Sequence, residues 1–165
     1  MLNKVFLITF LLISCISTSQ DLMQIRSQYP KAQKSEELTI ELDKALDQVS
    51  FNSDPVLIAY KGAVKTLMAD FAKKVKDKKD YFKQGVELLE SSLNSEPQNI
   101  EIRYLRLSIQ EHAPKFLKYH DNITEDKAII LINYSSISPK SLKTIIKEYI
   151  LTSENFDEAE KNSLD

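Results

Sequence analysis

The stretch Tyr81–Ile102 restricts the possible folds of this chain more than any other stretch. Its apolar residues recur at i, i+4, i+7 and i+11, the stripe of a helix buried along one side: Phe82, Val86, Leu89 and Leu93. Gly85 and Ser92 lie beside this stripe and would let a second helix approach closely. Pro97 disfavours helical geometry at Glu96 but suits the first turn of a following helix. The stretch therefore predicts a helical hairpin.

Capping residues and apolar periodicity predict further helices on both sides of this hairpin. Ser35 is expected to cap a helix that begins with two acidic residues. Asp54 followed by Pro55 marks the start of the most apolar helix after the N-terminus, which we expect to be the central element of the core. Predicted helices cover residues 21–29, 35–49, 54–71, 81–96, 98–111, 124–132, 138–150 and 153–162. The fold class is thus expected to be all-α, with about seven or eight helices.

Several segments between these helices are less regular. Lys73–Asp80 is expected to be a solvated polar connection, although its five lysines could also bind an anionic partner. Ile100–Ile109 alternates in part like a strand, but no partner strand lies nearby and a lone strand is unstable, so we expect a helix. Pro30 is expected to end the first helix, and Ser153 is expected to cap the last one.

The beginning of the chain has the features of a secretory signal peptide. Lys4 supplies a basic start, Val5–Ile13 is an apolar run, and small residues precede Gln20. The apolar run is too short to span a bilayer as a stable helix. We expect residues 1–19 to be removed and residues 20–165 to form one α-helical domain. The expected location of that domain is periplasmic or secreted.

A second cleavage site overlaps this signal. Leu12–Cys15 resembles a lipobox, in which Cys15 becomes the lipid-modified first residue of the mature protein. Cys15 is also the single cysteine of the chain. Under this alternative the protein is a membrane-anchored lipoprotein with an unchanged fold, and it contacts the membrane only because Cys15 is lipidated.

The composition of residues 20–165 excludes several classes of protein. This part contains no cysteine, so we expect neither a disulfide framework nor a thiolate metal site. Removing Lys4 from the 22 basic residues leaves 21 against 24 acidic ones, a net charge of −3. That near balance argues against a protein that binds nucleic acid or another polyanion.

Residues suited to catalysis are sparse. The chain has two glycines, Gly62 and Gly85, and both lie in predicted helices, which excludes the usual glycine-rich phosphate loops. His112 and His120 lie on either side of a predicted loop, and their spacing matches no common metal site. A Gly-x-Ser-x-Gly elbow is absent from the sequence. We therefore expect no catalytic activity, no cofactor and no metal.

The hairpin stretch also carries a family resemblance. Gly85, Leu89, Ser92 and Pro97 are similar to the small–large–small–Pro pattern in the second helix of a tetratricopeptide repeat. The resemblance covers one repeat plus a neighbouring helix, roughly residues 54–111. The ends of the chain, taken with this core, resemble an exported family of Bacteroidetes-type bacteria that has no assigned activity. The resemblance implies a tetratricopeptide-like stack of helical hairpins.

In such stacks the first helices of successive hairpins line a concave groove. The resemblance implies that helices 54–72 and 98–111 face a ligand with five side chains: Lys61, Lys65, Arg103, Arg106 and Gln110. The expected partner is a protein, bound through an extended peptide or an acidic tail. The expected function is that of an exported protein-interaction or assembly module without catalytic activity. The alternative is a structural or stress-related envelope protein without a dedicated groove.

Overall fold

The computed structural model describes residues 22–164, which contain eight α-helices and no strand. The helices are α1 (22–32), α2 (Glu36–Ala45), α3 (Pro55–Phe71), α4 (Val75–Ser95), α5 (Ile100–His112), α6 (Ile123–Asn133), α7 (Lys140–Thr152) and α8 (Glu158–Asn162). Short 3₁₀ turns lie at Lys115–Leu117 and Tyr134–Ser136. The all-α prediction is confirmed. The predicted signal peptide and the lipobox at Cys15 lie outside the described residues.

Helices α3 and α4 form an antiparallel hairpin, the most extensive helix pair in the described part of the chain. Gly62 on α3 and Gly85 on α4 are buried against each other. Ser92 donates a hydrogen bond to the carbonyl oxygen of Pro55 farther along the same contact. The predicted close approach at Gly85 and Ser92 is therefore confirmed, because small side chains let two backbones meet.

The predicted caps at the starts of α2 and α3 are also confirmed. The Ser35 hydroxyl accepts a hydrogen bond from the Leu38 amide at 3.3 Å. The Asp54 carboxylate accepts one from the Val56 amide at 2.8 Å, and Pro55 occupies the first helical position. These boundaries could be predicted because each cap is a contact between residues two or three apart.

Helix α4 begins earlier than the sequence indicated. Its first turn starts at Val75, so most of the predicted polar connection Lys73–Asp80 is helical. Lysine is a good helix former that needs no burial, and this end of α4 extends into solvent with its lysines exposed. A polar stretch can therefore lengthen an amphipathic helix.

Two other boundary predictions are wrong. Pro30 does not end α1, which continues to residue 32 because buried Tyr29 and Ala32 hold its last turn against the core. Ser153 does not cap α8, because its hydroxyl donates to the Glu111 carboxylate and accepts from the Asn155 amide instead. Asp157 caps α8 in a capping box.

Helix α5 is surrounded by the other helices. Its residues 101–110 are all buried, including several charged and polar side chains. The sequence favoured α3 as the central element, and α3 is indeed largely buried, but α5 is enclosed around its full circumference. The polar face of α5 therefore points into the protein rather than into solvent.

None of the helices within residues 22–164 combines the length and the apolar character needed to cross a membrane.

Candidate functional site

Arg103 and Arg106 form a buried ion-pair network with Asp126 of α6. Arg103 Nη1 lies 2.6 Å from Asp126 Oδ1, and Arg106 Nε lies 2.7 Å from Asp126 Oδ2. The arginines are 3% and 4% exposed, and Asp126 is fully buried. Burial opposes the charge on Arg106, but the hydrogen bond and charge of Asp126 outweigh it and raise the pKa of the guanidinium.

The prediction that Arg103, Arg106 and Gln110 line an open groove is therefore wrong in its placement of these side chains. Helix α6 packs across the polar face of α5 and covers all three of them. Gln110 is fully buried and donates a hydrogen bond to the Asn122 side chain at 3.3 Å. A partner cannot reach these groups while α6 stays in place.

Glu90 and Tyr119 extend the network to α4 and to the chain after α5. Glu90 accepts hydrogen bonds from Arg106 at 3.2 Å and from the Tyr119 hydroxyl at 2.5 Å. Burial, with the hydrogen bond to Glu90, raises the pKa of Tyr119 well above its ordinary value. The network thus ties four segments of the chain together.

Lys61 and Lys65 lie on α3 and contact α2 and the loop after it. The Lys61 amine donates to the carbonyl oxygens of Asp47 at 3.0 Å and Val49 at 2.6 Å. Lys65 pairs with Asp43 at 2.7 Å and lies 5.7 Å from the centre of the Tyr81 ring. These contacts hold α2 against the hairpin, and a role for the two lysines in binding a partner stays a prediction.

Two further polar clusters tie α5 to its other neighbours. Arg26 of α1 makes two hydrogen bonds to Glu101, at 2.7 and 2.6 Å, and Tyr60 donates a third at 2.9 Å. The hydrogen bond to Glu101 raises the pKa of Arg26. Near the other end of α5, Glu111 accepts from the hydroxyls of Tyr149 and Ser153, each at 2.7 Å. Each cluster joins helices that are distant in sequence.

The two histidines bond to separate backbone carbonyl oxygens. His112 Nδ1 donates to the Ser108 carbonyl at 2.9 Å, and His120 Nε2 donates to the Ala113 carbonyl at 2.8 Å. Within residues 22–164 no three histidine, cysteine or acidic side chains are grouped so that they could hold a metal ion.

A pocket of about 580 Å³ opens at the end of the molecule where α1, α3 and α5 end and α4 begins. We call it the end pocket. Most of its lining is apolar, including Leu67, Phe82, Ile109 and Leu117. Its volume lies within the range of about 300–1,000 Å³ that is usual for ligand sites. The end pocket is therefore the strongest candidate for a functional site among the described residues.

Tyr29 is one of the residues that line the end pocket. Ser108 donates to the Leu105 carbonyl at 2.8 Å, so the Tyr29 hydroxyl is the donor in its own 3.2 Å contact with Ser108. Burial raises the pKa of Tyr29 to about 12. The ring packs edge-on against Tyr60, with centroids 5.6 Å apart. These contacts hold the Tyr29 side chain in place in this wall.

Two apolar side chains at the opening are left in solvent. Val75 at the start of α4 is 77% exposed, and Phe116 in the 3₁₀ turn is 79% exposed. We call this pair the apolar lip. Both residues line the end pocket, so the lip continues the apolar wall outwards. Apolar surface that is contiguous with a pocket is typical of an interaction site, whereas isolated exposed residues are not.

The charged groups at the end pocket are mainly basic. Lys34, Lys78 and Lys79 line it, and we call these three the lysine rim. Asp70 carries the one carboxylate among the described lining residues. Partial burial raises the pKa of Asp70, although the charges of Lys78 and His112 act in the opposite direction. The end pocket thus combines an apolar interior with a positive edge.

The sequence did not reveal the end pocket because its lining comes from four separate stretches of the chain, within 29–34, 66–70, 75–82 and 108–117. The run of lysines in 73–80 was one available signal, and the sequence left open that these lysines bind an anionic partner. The position of these lysines near Phe116 depends on how the chain after α5 packs beside α4. Local sequence patterns do not specify that packing.

Comparison with protein-family models, with curated proteins and with solved structures finds no match to this chain.

Proposed function

We propose that this chain is an exported protein-interaction module that binds a peptide segment of a partner protein in the end pocket. The observation that carries the proposal is the continuity of an apolar pocket of about 580 Å³ with the apolar lip, Val75 and Phe116. A bulky partner side chain would fill the pocket while the flanking peptide covers the lip. No catalytic step is proposed, because the titratable groups of the clusters on α5 bind one another.

The α3–α4 hairpin is the part of the fold that fits the tetratricopeptide-like resemblance. Hairpin α3–α4 packs through Gly62, Gly85 and Ser92, as expected for the repeat that the sequence resembles. The proposed binding surface differs from the groove of such repeats, because it lies at the ends of the helices. We place the module in the periplasm or outside the cell, with a lipid at Cys15 as the alternative anchor.

Affinity capture from the envelope of the source organism tests this function. The test variant combines Val75→Ser with Phe116→Ser, and the control is Ile132→Ser, which replaces a side chain that is 78% exposed on α6. We expect specific protein partners to be retained by the parent chain and by the control, and to be lost by the double variant. Equal capture by all three proteins would refute a role for the end pocket.

A further inference from the structure

We infer that the end pocket selects acidic peptides, in which a bulky apolar residue enters the pocket and flanking Asp or Glu side chains meet the lysine rim. This inference rests on the proposed function and adds the chemistry of the partner segment.

Charge complementarity favours an acidic partner. The lysine rim brings three amines from two segments to one opening that contains a single carboxylate, although the whole chain has a net charge of −2. All three lysines are exposed. Lys78 donates a hydrogen bond to the Asp70 carbonyl at 3.2 Å, which fixes its position at the edge. Lys34 and Lys79 make no ion pair with any residue of 22–164, so their charges are available to a ligand.

The shape of the end pocket favours a peptide over a membrane or a small molecule. An interfacial helix binds a membrane through a continuous apolar face, whereas the apolar surface here is a concave pocket with two exposed side chains at its opening. A small molecule held inside the pocket would leave Val75 and Phe116 in solvent. A peptide anchored by one side chain covers both, and its neighbouring residues reach the lysines.

Selection from a library of random displayed peptides tests the inference on the whole mature chain. We expect the enriched peptides to contain Leu, Ile, Phe or Trp flanked by Asp or Glu. Enriched peptides should bind about tenfold more weakly to the Lys34→Glu, Lys79→Glu variant, because two attractive contacts become repulsive. The matched control is Lys44→Glu with Lys140→Glu, two exposed lysines outside the end pocket, which should bind like the parent.

The outcomes separate this inference from the proposed function. Apolar peptides without an acidic excess, lost in the Val75→Ser, Phe116→Ser variant, would leave the function standing and overturn the acidic selectivity. Acidic peptides that bind the lysine variant unchanged would also overturn it. A selection that enriches no peptide would overturn both. If, in addition, the protein bound vesicles of anionic phospholipid through the same lysines, the occupant would be a membrane.

Discussion

Gly62 and Gly85 bring α3 and α4 into backbone contact. A Cβ atom added to Gly85 would lie 2.6 Å from the Gly62 carbonyl oxygen, and one added to Gly62 would lie 2.7 Å from the Gly85 carbonyl oxygen. Neither distance can be relieved by turning a side chain, because the opposing atoms belong to the backbone. The close spacing of α3 and α4 therefore requires that neither position carries a side chain.

The first prediction concerns this contact. Gly85→Ala should destabilise the protein by about 2 kcal/mol, because the overpacking cost of separating two helices exceeds the gain of alanine in helix propensity. Urea unfolding monitored by circular dichroism measures the change. Gln84→Ala is the control on the exposed side of α4 and should leave stability unchanged or slightly raised. A Gly85→Ala protein as stable as the parent would show that the helices are not in contact here.

The second prediction concerns the carboxylate that Arg103 and Arg106 share. Asp126→Asn keeps the shape of the side chain but leaves two buried guanidinium groups without their main counter-charge. We expect a loss of about 3–5 kcal/mol in the free energy of unfolding. Glu125→Gln removes weaker ion pairs to the same arginines, at 3.1 Å from Arg103 and 3.8 Å from Arg106, and because Glu125 is 53% exposed it should change that free energy by less than about 1 kcal/mol. A similar effect of both substitutions would contradict the buried network.

The third prediction is a loss of stability at alkaline pH. The pKa of Tyr29 is raised from 10.0 to about 12 in the folded protein, so folding favours the neutral phenol. The stability gained from this group is complete below pH 10 and falls as the pH rises through 12, by at most about 3 kcal/mol. Chemical unfolding at several alkaline pH values measures the slope.

Tyr29→Phe provides the comparison for that experiment. The variant should lose less stability between pH 10 and 12 than the parent, since it has no hydroxyl to ionise at this position. Tyr81→Phe, at a partly exposed position on α4, should follow the curve of the parent. Identical slopes for the parent and Tyr29→Phe would mean that the Tyr29 ring is not enclosed.

The fourth prediction decides what Lys61 does. Lys61→Met removes the amine that holds the carbonyls of Asp47 and Val49, so the loop after α2 should loosen. We expect a cost of about 1 kcal/mol and faster hydrogen exchange at the Val49 amide. Lys83→Met, an exposed position on α4, is the matched control. Unchanged exchange at Val49 would favour the predicted binding role over a structural one.

Local contacts explain why much of the fold could be predicted from the sequence. Asp54 lies next to the helix that it caps, and the apolar stripe around Leu89 is visible within four turns of chain. The start of α4 was misplaced because lysine-rich sequence is compatible with both loop and helix. Whether a helix face is exposed or enclosed depends on contacts between residues that are distant in sequence, so local patterns do not predict it.

The candidate site was harder to predict for the same reason. The partner of Arg103 is Asp126, which lies 23 residues later on another helix. The sequence of a basic helix face is the same whether that face is exposed to water or paired with a buried carboxylate. The expected groove residues were therefore assigned to solvent. The end pocket depends on the mutual positions of helix ends, which are set by the packing of the whole chain.

The enclosure of α5 has a consequence for how this protein can change in evolution. Five outer helices each hold one half of a polar contact whose other half is on α5, through Arg26, Tyr60, Glu90, Asp126 and Tyr149. In an open repeat array a unit touches only its neighbours, so units can be duplicated or deleted. Here, deleting any of these helices would leave a charged or polar group of α5 without one of its partners, so the outer helices can change in sequence more readily than in number.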